Sequence, residues 1–220
     1  MTSFIPACIS CNKLIRDGIF NSAFYPNLLK MLSAFIVLSV IVGLLAYISS
    51  RRSSHSRHPG GDPVSSPIRL QCAGLVLGIG LGGFVDGIVL HQLLQWHEML
   101  SAKIPATDYI GKSVNMFWDG VFHSFCLAVV LIGIIMLWFA AKSQQVLNSG
   151  RMLAGAMLSG WGIFNIVEGL INHHWLRLHN VIEYSANHNY GNFVFLCMSL
   201  VLLIWGMLLM RLQYSVYSNS

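Results

Sequence analysis

A chain of 220 residues that is 55% hydrophobic and only 10% charged, with a mean hydropathy of +0.64, cannot cover itself with a water-soluble surface, for which roughly 25% charged residues are usual. It reads as an all-α integral membrane protein. The net charge of +5 is no nucleic-acid footprint, because the basic residues lie in short groups within connecting loops rather than in one block.

Residues 1–27 are poorly periodic and form an N-terminal segment. Cys8 and Cys11 make a C-x-x-C pair there, a spacing that binds soft Cu(I) or works as a redox pair. Residues 28–49 read as a first transmembrane helix. An anchor fits better than a signal peptide, because "YISSRRSSHS" follows where a small-residue cleavage site belongs; Met31 offers an alternative start. Residues 50–68, opening "SRRSSHSRHPGGDPVSSP", read as a flexible linker rich in Ser, Arg, Gly and Pro.

Residues 69–212 form the main membrane domain, followed by a tail at 213–220. Its spans are Leu70–Leu93, Phe117–Ala141, Met152–Ile171 and Asn192–Leu212, each long enough to cross ~30 Å of hydrocarbon as a helix. The runs lack the alternation of a barrel strand, which leaves helices as the spanning element. Trp96, Trp118, Trp161 and Trp175 read as interfacial belt residues, and Cys72, Cys126 and Cys197 as packing residues.

The second span ends "VDGIVLHQLLQWH" (Val85–His97), and the fourth ends "VEGLINHHWLRLH" (Val167–His179), 82 residues later. The offset aligns Asp86 with Glu168, Gly87 with Gly169, His91 with His173 and His97 with His179. We therefore expect a four-helix transmembrane bundle built from a two-helix tandem repeat, plus the extra N-terminal helix, with the halves related by an axis along the membrane normal. Gly74, Gly78 and Gly82 form a small-residue stripe on which Asp86 is the next position, so Asp86 should meet another helix rather than lipid.

Chain direction gathers the polar groups. The second and fourth spans carry acids and histidines at their C-terminal ends. The third carries Asn115, Asp119 and His123 at its start, and His188 precedes the fifth. In an up-down bundle these ends share one membrane face. Basic residues divide almost evenly between the faces, and the group Arg51, Arg52 and Arg57 tips that loop toward the cytoplasm. The cluster should then face the periplasm or exterior of a bacterial inner membrane.

Ionisable residues inside spans are rare and default to function. Asn115, Asp119 and His123 share one stripe, which lets Asp119 and His123 approach a common ion. Asp86 and His91 lie about 140° apart on an ideal helix, so they share a site only if the helix is distorted or partners come from elsewhere. Asp86 and His97 lie about 16 Å apart along a regular helix, too far for one ion. The economical ligand set is His91, His123 and His173, with Asp86, Asp119 and Glu168 as ligands or as carboxylate partners of the histidines. His97, His174, His179 and His188 should sit further out, capping the site or forming a second one. Imidazole-rich sites suit a transition metal, with copper favoured over iron or zinc; haem held by histidine pairs ranks below a bare ion.

The phrases "GFVDGIVLHQLLQWHEML", "WDGVFH" and "FNIVEGLINHHWLRLH" resemble a bacterial four-helix membrane family catalogued as domain of unknown function 2243, over residues 69–212. The resemblance implies an inner-membrane four-helix core with Asp86, His91, His97, Asp119, His123, Glu168, His173, His174 and His179 as motif residues. It implies no activity. Where members of the family carry Trp-Asp near the start of the last span, this chain reads "NHNYGNF".

Three functions compete. The first is a metal-binding envelope protein that handles metal or delivers it to a respiratory enzyme, with respiratory-chain or metal-handling proteins as partners. The second is a His-ligated non-haem or haem oxidoreductase acting on quinone or lipid; the H-x-x-H-H and H-x-x-x-H spacings of membrane hydroxylases are absent. The third is an ion or proton transporter, ranked last because the polar groups stop near one face.

Overall fold

The computed structural model describes residues 12–20, 32–54, 67–142 and 150–218. Cys8, Cys11, Met31 and most of the expected linker lie outside them. Every regular element among the described residues is helical. Five helices are long and apolar enough to cross a membrane.

Helix α1 (Lys13–Ile19) starts where the Asn12 side chain accepts the Leu14 N–H at 3.0 Å, the usual device for an otherwise orphaned first-turn donor. It buries Ile15 and Ile19. Helix α2 (Ser33–Ser54) is apolar around its circumference, as a lipid-facing helix must be. It rests on α3 and α5 mainly through Ala34, Phe35, Leu38 and Val42. Phe35 stacks on Phe125 with ring centroids 4.9 Å apart.

Helix α3 (Ile68–Val85) and helix α5 (Gly150–Glu168) form the central pair. Helix α4 (Tyr109–Ala141) packs on α3, and helix α6 (His188–Ser218) packs on α5. The stripe expected on α3 is the contact surface: a Cβ at Gly78 would collide with the Met157 backbone, and one at Gly160 with the carbonyl of Leu75. Without a hydrophobic drive between helices in lipid, this close backbone approach supplies the dispersion contact that holds the pair. The outer helices turn large apolar side chains outward, such as Leu131 and Trp138 on α4 and Val201 and Trp205 on α6. Trp118, expected in the belt, is buried.

Both central helices change winding at the same end. Helix α3 continues as a π-helical segment over Asp86–Leu93, and α5 as another over Gly169–Trp175. The termination repeats atom for atom. Leu94 N–H donates to the Val89 carbonyl at 2.8 Å and Trp96 N–H to that of Leu90 at 2.9 Å. Leu176 and Leu178 donate likewise to Ile171 and Asn172, both at 2.8 Å. Among the described residues, the two non-glycine residues with positive φ are Gln95 at 51° and Arg177 at 52°, again 82 apart.

Candidate metal centre

The π-helical winding brings acid and histidine together. Its hydrogen bonds run to the fifth residue along, so residues five apart stack where an α-helix would turn them away from each other. Asp86 and His91 use this spacing, and their Oδ2 and Nε2 atoms lie 3.2 Å apart. Glu168 and His173 use it too, at 3.0 Å from Oε1 to Nε2. The distortion needed for Asp86 and His91 to share a site is thus built into the helix.

The left-handed residues bring in two more histidines. At Gln95 and Arg177 the chain leaves its helix axis and folds back, so His97 and His179 return beneath the helix ends. His97 Nε2 lies 3.8 Å from Asp86 Oδ1, and His179 Nε2 lies 2.7 Å from Glu168 Oε1. The expectation that both sit further out holds only for a regular helix; here both are at the centre. His97 and His179 rings stack with centroids 4.6 Å apart.

The loops that follow lock each other across the site. His97 Nδ1 donates to the Val181 carbonyl at 2.8 Å, and His179 Nδ1 donates to the Met99 carbonyl at 3.0 Å. Ala102 N–H donates to Leu178 and Glu183 N–H to Trp96, at 3.0 and 2.8 Å. The outer helices pin the loops with amides: Asn115 accepts the Leu100 N–H at 2.8 Å, and Asn192 accepts that of Val181 at 3.0 Å. Asn192, Asn172 and Glu98 are buried residues of this region that sequence reasoning passed over. Glu98 ion-pairs with Lys112. Burial pushes the Glu98 carboxyl above its usual range, with Lys112 opposing the shift.

Asp119 serves His91, whose Nδ1 donates to its Oδ1 at 2.9 Å; the Met99 N–H donates to the same oxygen at 3.0 Å. Asp119 therefore does not join His123 on one ion. His123 lies outside the histidine groups, stacked on Phe84 at 5.9 Å and seated against Gly87, where any Cβ would strike its Nε2. His174 and His188 are exposed, and the His188 Nε2 donates to the Glu183 carbonyl at 2.9 Å.

Among the described residues, two sets of side chains could hold a metal ion: His91, His97 and His179, and Glu168, His173 and His179. Within each set the ligand atoms lie within 4.8 Å of one another. All five residues are at most 3% exposed. His97 Nε2, Asp86 Oδ1 and Glu168 Oε2 have no hydrogen-bond partner among the described residues, and the Nε2 atoms of His91 and His173 meet only a carboxylate oxygen, at 3.2 and 3.0 Å. Orphaned polar atoms this deeply buried normally cost about 1–3 kcal/mol each, so their convergence on one spot asks for a ligand.

Proton counting says what kind. A neutral imidazole has one N–H, yet His91 faces acceptors on both sides (Asp119 and Asp86), and so does His179 (Met99 and Glu168). One contact of each ring needs a further cation, a proton or a metal. His97 is held well below the usual imidazole range, first by burial and then by positive charge on His91, His179 and His173. Its Nε2 lone pair is free to bind a metal.

The family profile for predicted membrane proteins numbered DUF2243 matches residues 73–213, which run from within α3 into α6 and include every residue of this centre. The chain belongs to the DUF2243 family. The DUF2243 match begins after α1 and α2, both of which lie wholly outside it. No curated protein and no solved structure matches the chain.

Proposed function

We propose that this DUF2243 protein is a multi-pass protein of a bacterial inner membrane. In this reading its four main spans form a bundle built on a two-helix tandem repeat, and a buried transition-metal centre lies at its outward face. The repeat is supported by the paired π segments, the left-handed residues Gln95 and Arg177, and the reciprocal bonds from His97 to Val181 and from His179 to Met99. The metal reading rests on one observation: four imidazole Nε2 atoms and two carboxylates converge in one buried space, three of the nitrogens 2.7–3.2 Å from a carboxylate oxygen and the fourth, on His97, without a hydrogen bond. The donors are nitrogen and oxygen, and affinity for such sites rises along the first-row divalent ions to a maximum at Cu²⁺, so copper is the favoured ion ahead of iron and zinc. Neighbouring imidazole centroids only 4.5–4.8 Å apart suit bare ions better than a macrocycle. Metal handling, or delivery to a respiratory enzyme, follows as the role.

The test is elemental analysis of protein purified from metal-replete cells. We expect stoichiometric metal in the wild type and its loss in His91→Ala and His179→Ala, while His174→Ala keeps it. A metal-free wild-type protein would sink the reading.

A second reading, oxidation chemistry on quinone or lipid, is favoured by an apolar cavity of about 720 Å³ between α3 and α5. Val85 and Ile88, on either side of Asp86 and Gly87, help line it with Phe84 and Trp161. An iron-dependent optical band that responds to added quinol would favour it over metal handling.

A further inference from the structure

The donors fall into two sets along the chain. Asp86, His91 and His97 come from the first copy of the motif, and Glu168, His173 and His179 from the second. Each set is one carboxylate and two imidazoles, the two-histidine-one-carboxylate arrangement that holds a first-row divalent ion and leaves positions open. Each has its own chelating bite, at 3.2 Å between Asp86 and His91 and at 2.7 and 3.0 Å between Glu168 and its two histidines. Donor atoms bound about 2.0–2.2 Å from one ion lie roughly this far apart. His179 Nε2 also lies within reach of His91 and His97, which puts the two sets side by side rather than at remote ends of the fold.

Charge agrees. Asp86, Asp119 and Glu168 carry up to three buried negative charges, and buried charge must be matched. Bound divalent ions would match that charge in place of protons on the imidazoles.

The two positions are not equal. Asp119 holds the far nitrogen of His91, whereas His173 Nδ1, the equivalent atom, has no partner among the described residues. The fifth span offers no acid there, because Phe195 packs against the His173 ring at 5.2 Å. A carboxylate on the far nitrogen raises ligand basicity, and losing it typically costs 10–100-fold in metal affinity.

We infer that the centre binds two adjacent divalent ions, one on Asp86, His91 and His97 and one on Glu168, His173 and His179, and that Asp119 makes the first the tighter. This rests on the metal-centre reading above. The experiment loads metal-stripped, full-length protein in detergent with Cu²⁺, in a Cys8→Ser, Cys11→Ser background, and measures copper per chain and the EPR spin count. We expect two Cu²⁺ per chain with a spin count well below two, because neighbouring ions couple. Asp86→Asn or Glu168→Gln should each leave one Cu²⁺ with one full spin. His97→Asn and His173→Asn probe the same positions should either carboxylate variant fail to fold. Asp119→Asn should release one of the two ions to a competing chelator at about 10–100-fold lower concentration while the other is unmoved; a merely structural Asp119 would weaken both together. Saturation at one full-spin Cu²⁺, or two ions that never couple, overturns the inference and leaves the metal centre standing. Failure of the wild type to bind Cu²⁺ at all overturns the metal centre itself.

Discussion

His97 and His123 show what decides a residue's place in this centre. Both are histidines near a membrane face, and sequence spacing favours His123 as the ligand. The chain reversal at Gln95 instead carries His97 into the cluster, while His123 is spent against Phe84 and Gly87. His97 also sets a pH dependence. Its folded-state value is depressed, so below about 6.5 the unfolded chain binds a proton that the folded chain refuses. By linkage, its contribution to stability is fully present above that pH and is lost progressively as pH falls from there toward the folded value. In metal-free protein, the thermal unfolding midpoint in detergent should fall between pH 7 and pH 5. His97→Asn keeps a donor where Nδ1 faces Val181 and removes the titrating ring, so its midpoint should fall less over the same range. Equal slopes for the two proteins would show that His97 does not carry the effect.

At the scale of elements, the five spans and the face on which their polar ends gather were legible in the sequence, because hydropathy and chain direction determine them. Asp86 and Glu168, like His91 and His173, stand 82 residues apart in the sequence. What the residue pattern did not disclose was the winding. A π segment follows from how a helix end packs, and "DGIVLHQL" satisfies α-helical spacing equally well, so ideal geometry set Asp86 and His91 apart and threw His97 about 16 Å away. Glycine would have signalled the reversals, but Gln95 and Arg177 occupy the left-handed region instead. The central helices sit closely against each other, with Gly160 facing the Leu75 carbonyl and the Cα of Gly78. A side chain there has only backbone to displace. Gly160→Leu should force the central helices apart and destabilise the protein by about 1–3 kcal/mol or more, lowering the unfolding midpoint and the bound metal together. Gly150→Ala, with nothing near its Cβ position, serves as the control and should change neither. Normal metal content in Gly160→Leu would show that the centre does not need this contact.

For the whole molecule, the arrangement divides labour along the membrane normal. The half of the domain away from the centre is packed closely through glycines, with Gly78 and Gly160 at the contact of the central helices. The other half is capped by two interlocked loops. If the proposed centre binds metal, its orientation decides which compartment's pool it serves. The loops at residues 94–108 and 176–187 lie at the end opposite Lys142, with Thr107 and Ala186 exposed on one side and Lys142 exposed on the other. With Cys8, Cys11 and Cys197 replaced by Ser, the two remaining cysteines, Cys72 and Cys126, are buried. An impermeant maleimide then reports orientation directly. Thr107→Cys and Ala186→Cys should label in intact cells, and Lys142→Cys only after permeabilisation. The reverse pattern would place the centre at the cytoplasmic face, where it would draw on the internal metal pool and could not load an enzyme from outside. Labelling of all three in intact cells would contradict the spanning arrangement of α4, whose two ends carry Thr107 and Lys142.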